Sequence, residues 1–416
     1  MFTQTLSAAG IALLLALGIG TTDAATLEQA LAAAERYSAE LSANQHQVSA
    51  LSNMADAAMQ LPDPKLKIGI ENLPVSGGNA HRFTRSDMTM QRVGVMQDYV
   101  SHDKRERKAQ TIRAEAAQVA AAKGVIRASL QQDTAQAWFE LALAERTLAA
   151  VDRAIAQTER QLPAQTAGVG AGEATAAGVL DVRLTLSEMR SRRDNARSDI
   201  DAARARLRQL TGADIASATG AFPPIDRAPV DENVLLENVG LHPAVVQAAR
   251  EAEVAGAKSA ESAVAARSDV GVEVYFAKRA DGLENMGGVM LTVDLPLFTS
   301  QRQDKAHAAD ISRAYEANDQ LQLQKRAQRA QIATLFSQYR AAKSIFERQT
   351  GEVLPLLSGR VRLMDAQFRA GGASLAEVLE ARRAQLNGEI DRLSAEKTLA
   401  SRWAALRYQI PQDITQ

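Results

Sequence analysis

Val270-Gly271-Val272-Glu273-Val274-Tyr275-Phe276-Ala277 alternates an apolar residue with a small or polar one, and Val289-Met290-Leu291-Thr292-Val293-Asp294-Leu295 repeats the pattern after a loop over Arg279 to Gly287. A period of two is that of a strand with one apolar face. The same device stands earlier in the chain. Leu66, Ile68 and Ile70 alternate with Lys67, Gly69 and Glu71, and a second extended run, Met88 to Tyr99, follows a loop that holds Ser76-Gly77-Gly78-Asn79. The reading is two β-hairpins, 65–99 and 269–297. Isolated hairpins are unstable in water, and in lipid only a closed barrel satisfies every backbone group. Single-chain barrels begin at about eight strands, so the strands of one chain cannot close alone. Several copies must contribute: three would supply about twelve strands and four about sixteen.

The hairpins belong to a larger duplication. Gln97-Asp98-Tyr99-Val100 with Lys104 answers to Val293-Asp294-Leu295-Pro296 with Arg302, and Val179-Leu180-Asp181-Val182-Arg183 answers to Val378-Leu379-Glu380-Ala381-Arg382. The two correspondences are about 196 and about 199 residues apart, so one unit is written twice. The expected first repeat covers 26–210 and the second 231–408, with 211–230 as a linker or equatorial segment and 409–416 as a tail. Thr26 is a plausible N-cap for an opening helix that runs to about Leu61, where Pro62 and Pro64 end it. Asp231 to Arg267 is its counterpart.

A long helical hairpin follows each strand pair, over 104–210 and 302–408. The first contains Ile112, Val119 and Ile126 and then, in a shifted register, Leu141, Leu148, Ile155 and Leu162; the second returns through Leu379, Leu386 and Leu393. Steps of seven mark supercoiled helices packed along their length. Sixty helical residues would reach about 90 Å. Pro355 marks a kink in the second rod. Gly168-Val169-Gly170-Ala171-Gly172 and Gly371-Gly372 are the turns at the far tips, where glycine permits a left-handed backbone. The linker 211–230, with Gly212, Gly220 and Pro223-Pro224, and the tail after Pro411 are expected halfway along the rods, where both repeats begin and end.

Composition agrees with long helices in close contact. Of 416 residues, 46% are hydrophobic but only 4% aromatic, so the apolar content is mainly Ala, Leu and Val. Lys and Arg number 48 against 49 Asp and Glu, interleaved, which argues against a nucleic-acid surface. The chain has no cysteine, and therefore no thiolate metal site, disulfide or lipidated cysteine. Residues 1–25 read as a signal peptide, with Ile11-Ala12-Leu13-Leu14-Leu15-Ala16-Leu17 as its apolar run and small residues at Ala24 and Ala25, although Met1 to Thr5 has no basic side chain.

No constellation points to an enzyme, a cofactor or a metal centre. His46, His81, His102, His242 and His307 share no i, i+4 spacing and are read without neighbours of metal-ligand type, hence as structural or solvated. Gly77-Gly78 and Gly287-Gly288 are turn glycines with no following Walker lysine. Met88, Met90, Met96, Met286 and Met290 invite a copper or silver path, but methionine is an ordinary apolar filler and some of these are expected to face lipid.

Thr26-Leu27-Glu28-Gln29-Ala30-Leu31, Asp98-Tyr99, Asp294-Leu295-Pro296-Leu297-Phe298 and the run Phe368 to Arg382 through Gly371-Gly372 together resemble the TolC-like outer-membrane efflux channels. The resemblance covers essentially the whole mature chain. It implies a mainly α fold with a small membrane β-barrel: a homotrimer with a twelve-stranded barrel in the outer membrane of a Gram-negative bacterium, and internally duplicated helical hairpins forming an α-barrel tunnel across the periplasm. It implies a passive duct without chemistry, docked through a periplasmic adaptor onto an inner-membrane pump of the resistance-nodulation-division type. The wording, including Ile70-Glu71-Asn72-Leu73, is similar to ducts for heavy-metal cations, with multidrug efflux or secretion by the same fold as the alternative. A periplasmic adaptor subunit is a further alternative, disfavoured because the helical hairpin occurs twice here.

Glu377 and Glu380 are three apart and share one helix face beyond the second tip. The resemblance implies that they ring the periplasmic entrance. In the first repeat Asp181 matches Glu380, and Gly178 stands where a match for Glu377 would fall. Arg369 is a candidate partner for Asp181 or Glu173, and Gly168, Gly170, Gly371 and Gly372 mark the tips where an adaptor would dock.

Overall fold

The computed structural model describes residues 23–160, 162, 163, 167, 176–280 and 282–411. Residues 1–22 of the expected leader, the first tip with Gly168, Gly170 and Glu173, and residues 412–416 lie outside the described residues. The last three residues of the expected leader, Asp23–Ala25, form a short strand, β1.

The opening helix is two helices. In α1, Leu27–Tyr37, a capping box at Thr26 and Gln29 satisfies the first backbone donors. Ser38 then leaves the helix at φ −63 and ψ 107, and its hydroxyl accepts from the Leu41 N–H at 3.2 Å to cap α2, Ala39–Ala58. The expected uninterrupted helix to Leu61 fails because this serine competes for the backbone.

Strands β2, Lys65–Glu71, and β3, Met90–Tyr99, precede a helical section made of α3, His102–Glu159, and α4, Ala176–Thr211. Then follow β4, Ile215–Ala218, α5, Glu232–Glu237, and α6, Pro243–Ser262. The second half continues with β5, Val270–Lys278, β6, Met286–Val293, and α7, Gln303–Arg348, and closes with α8, Leu354–Arg369, and α9, Leu375–Arg407. The long strands form one antiparallel sheet in the order β2-β3-β5-β6. Leu66 pairs with Val95, Val95 with Val274 and Val274 with Val289, so one face carries apolar residues on every strand. That face is bare: Ile68 is 77% exposed and Leu291 66%.

Asp269 fastens the sheet to the rods. Its carboxylate accepts from the Ser101 N–H at 3.1 Å, at the cap of α3, and from Lys104 Nζ at 2.9 Å. Below this joint α2, α3, α6 and α7 pack side by side in that order. Farther along, α3 is flanked by α4 and α9, and α9 packs on α8. At about 1.5 Å per residue, the 58 residues of α3 span about 87 Å.

Halfway along, the segment after α4 is built into the core rather than slack. Strand β4 pairs in parallel with β1, and Trp138 Nε1 donates to the Ala25 carbonyl at 2.9 Å. Phe222 stacks near Trp138 and Phe139, whose ring also meets Trp403 edge-on at 6.2 Å. Tyr339 donates its hydroxyl to the Ile225 carbonyl at 2.8 Å, and burial pushes its pKa up to about 12.

The second descending rod contains a π-helical turn at Gln349–Val353, next to Pro355. Proline has no N–H for the carbonyl four residues earlier, and widening the preceding turn accommodates the missing bond. Gly388 of α9 faces the same level: a Cβ there would collide with Leu357 and touch Leu354.

Candidate channel wall and tunnel tip

The second face of the sheet is polar, and its charges are tied together. Glu273, 3% exposed, accepts from Lys67 Nζ at 2.8 Å and from Arg92 Nη2 at 2.7 Å, while Arg92 Nη1 reaches Glu71 at 2.5 Å. The guanidinium also lies 3.7 Å from the Tyr275 ring centroid, a cation–π contact. Nearer the rods Lys65 Nζ meets Asp98 at 2.6 Å. Gly94 makes room for the cluster, since a Cβ there would sit 2.9 Å from Tyr275 Cβ and 3.0 Å from Glu273 Oε1. Lys65, Lys67 and Arg92 thus offset Glu71, Asp98 and Glu273. The sequence reading did not single out this network. Its signal was present, because within each strand the charges involved share the parity opposite to the apolar residues.

The strand methionines correct an expectation. Met90 and Met96 of β3 share the polar face with Arg92, and Met286 and Met290 of β6 pair with Ala277 and Glu273 on that same face. None of these four joins the apolar face. Met88 lies before β3, outside the sheet.

At the second tip the chain reverses by a Schellman turn. Gly372 N–H bonds the Gln367 carbonyl at 2.8 Å and Gly371 N–H the Phe368 carbonyl at 3.1 Å, with Gly371 at φ +76, a conformation glycine adopts without strain. Ser374 then caps α9 in a capping box with Glu377. The Glu377 carboxylate accepts from the Ser374 N–H at 2.7 Å and from its hydroxyl at 2.9 Å, and these bonds, the backbone one foremost, hold its carboxyl below the usual carboxylate range.

Glu380 is paired within its own helix, its carboxylate 2.6 Å from Arg383 Nη2. Arg383 reaches on to Glu188 of α4 at 3.1 Å, joining the two helical hairpins, and Arg382 bonds Asp365 of α8 at 3.0 Å. Asp181 is exposed and its backbone carbonyl accepts from Thr185 at 2.9 Å. Arg369 does not meet Asp181: its Nε turns back to the Asp365 carbonyl at 3.1 Å. The structure therefore brings Glu377 and Glu380 to one helix end but routes the bond between hairpins through Arg383 and Glu188. Beneath it Val182, Leu186 and Met189 pack with Leu379 and Leu386.

The expectation that no histidine has ligand-type neighbours is also corrected. His102, Asp103 and Glu106 bring ligand atoms within 4.8 Å of one another at the start of α3. Asp103 is already bonded to Arg267, and a helix N-terminus disfavours a cation, so the cluster serves as local ion pairing. Elsewhere His242 caps α6, accepting from the Ala244 N–H at 3.2 Å.

No family model matches the sequence, and no curated protein matches it. Solved structures do match. The transmembrane channel protein CusC superposes with a TM-score of 0.76 at 14% identity, covering 93% of this chain and 92% of its own. The outer-membrane channel OprN gives 0.73 at 14% identity over 93% and 90% of the two chains, and the outer membrane protein VceC of Vibrio cholerae 0.71 at 16% over 92% and 95%. The chain has the fold of these TolC-like outer-membrane channels over nearly its whole length.

Proposed function

We propose that this chain is one protomer of a homotrimeric, passive outer-membrane duct that performs no chemistry. The observation that carries the reading is the sheet: four strands, bare and apolar on one face, charge-paired on the other, with β2 and β6 left as unpaired edges. An apolar surface of that extent and two open edges are poor in water and correct in lipid, provided β6 of one copy joins β2 of the next. Three copies then close a barrel of about twelve strands whose polar face lines the pore. The rods become a helical tunnel through the periplasm.

The likeness in fold to CusC, OprN and VceC supports this reading. In it the tips at Gly371 and Gly372, with Gly168 and Gly170 of the first repeat, meet a periplasmic adaptor that links the duct to an inner-membrane pump of the resistance-nodulation-division type. The cargo is heavy-metal cations. Glu377, Glu380 and Asp181 line the entrance, with Glu380 balanced by Arg383.

The deciding experiment is membrane fractionation followed by gel electrophoresis without boiling. A trimer extracted from the outer membrane is expected, whereas a monomer free in the periplasm refutes the proposal. Cargo is tested by deleting the gene and comparing tolerance to cobalt, zinc, cadmium, copper and dyes; loss of dye tolerance alone refutes the metal assignment. In planar bilayers, joint Glu377→Ala and Glu380→Ala substitution should lower cation preference, and unchanged selectivity removes both residues from the entrance.

A further inference from the structure

The sheet places its methionines where an apolar filler is not needed. On the apolar face the strands use Leu, Ile, Val and Phe; Met90, Met96, Met286 and Met290 all lie on the opposite face. There the carboxylates that would hold a hard cation are taken, Glu71 and Glu273 by Arg92, Glu273 again by Lys67, and Asp98 by Lys65. Thioether sulfur has no such partner to satisfy, and it keeps a lone pair for a soft metal ion.

Two of the four stand in one row. Met96 pairs with Glu273 across β3 and β5, and Glu273 with Met290 across β5 and β6. Two strand spacings put the backbones of Met96 and Met290 about 10 Å apart. The Met96 side chain already leans over β5: a Cβ on Gly271 would lie 2.6 Å from its terminal methyl carbon. The lean is diagonal, since Gly271 pairs with Thr292 of β6, two residues from Met290; the bare Gly271 gives the thioether room over β5 beside the row, and the concavity of a closed wall brings inward side chains closer still.

We propose that the polar face of this sheet is a thioether-lined path for soft monovalent cations, Cu(I) or Ag(I), with Met96 and Met290 as its binding row and Met90 and Met286 as further steps. The inference rests on the reading of the sheet as a pore wall and narrows the cargo within it. Neutral sulfur ligands without a carboxylate discriminate against zinc and cobalt, which favour nitrogen and oxygen or thiolate. They also bind weakly, and weak successive sites are what conduction requires, since an ion must leave each as readily as it enters.

The test uses the full chain purified in detergent, with methyl-labelled methionine, titrated with silver nitrate in chloride-free buffer and separately with zinc and potassium. The methyl signals of Met96 and Met290, assigned through Met96→Leu and Met290→Leu, are expected to shift saturably with silver and not with zinc or potassium. Loss of either thioether should weaken the response of the other. Absence of a silver shift at all four strand methionines, or an equal response to zinc, overturns the path. An unaltered Met96 response in Met290→Leu overturns the row.

Should a variant fail to assemble, X-ray absorption on the silver-loaded wild-type protein decides the matter, because a first coordination sphere without sulfur is incompatible with the proposal. Failure of the metal-duct reading is distinguishable. A deletion strain with intact metal tolerance would refute that reading while leaving a silver response intact, whereas lost metal tolerance without a silver response sinks only the present inference.

Discussion

Removing the guanidinium of Arg383 should loosen the tunnel tip by an amount the geometry sets. Arg383 holds two carboxylates, but Glu380 lies on its own helix, so only the 3.1 Å bond to Glu188 resists separation of the hairpins. The side chains of that pair are 39% and 44% exposed, and an ion pair so open to water contributes about 0.5 kcal/mol. In the proposed trimer the contribution would be about 1.5 kcal/mol, close to the 1.4 kcal/mol that changes an equilibrium about tenfold. In the proposed duct the contact therefore trims the association of the two hairpins at the tip and does not lock it. Arg383→Met should raise single-channel open probability in planar bilayers by about an order of magnitude, less at high salt, where screening has already weakened the pair. Glu188→Gln should match it, and the double variant should add little. The reasoning is refuted if Arg383→Met leaves open probability unchanged, or if Glu380→Gln reproduces its full effect.

Acid should fray the second tip. The Glu377 carboxyl is held below its ordinary range by the Ser374 N–H and hydroxyl, so its contribution to the start of α9 is present above the unfolded value of about 4.3 and lost as pH falls through the folded one. Amide exchange at residues 374–378, corrected for intrinsic pH dependence, should lose protection at low pH in the wild type and be unprotected throughout in Glu377→Ala, whereas Glu377→Gln, which keeps an acceptor for the capping box, should lose the pH dependence; equal profiles for wild type and Glu377→Ala would contradict the capping account. Gly388→Val should destabilise the second hairpin by about 1–3 kcal/mol through collision with Leu357 and Leu354. Thermal unfolding reads this, and a neutral result would mean that the hairpin relaxes at no cost.

Much of this architecture was legible because period two and period seven leave unmistakable marks. The alternation around Val272 and Leu291 announced strands with one apolar face. The same alternation also carried the side on which each methionine lies, since Met96 has the parity of Asp98 and Arg92. General habits of methionine obscured it. Other features were out of reach for physical reasons. The interruption at Ser38 falls in an Ala-rich stretch whose helical pattern runs straight through, and only the cap to Leu41 reveals it. Arg383 and Glu188 are 195 residues apart, and nothing in helix spacing brings two rods into register. Proximity to the tip suggests Asp181 or Glu173 as a partner for Arg369, but its Nε turns back along its own helix to the Asp365 carbonyl, four residues earlier.

The widened turn at Gln349–Val353, facing a glycine on the neighbouring rod, has a mechanical consequence. Some sixteen residues, about 24 Å of helix, separate it from the end of the rod at Arg369. In the proposed duct, a pull exerted there by a docked neighbour would meet a compliant joint before it meets the tightly bonded collar at Asp269, so the mouth could flex while the barrel keeps its bore.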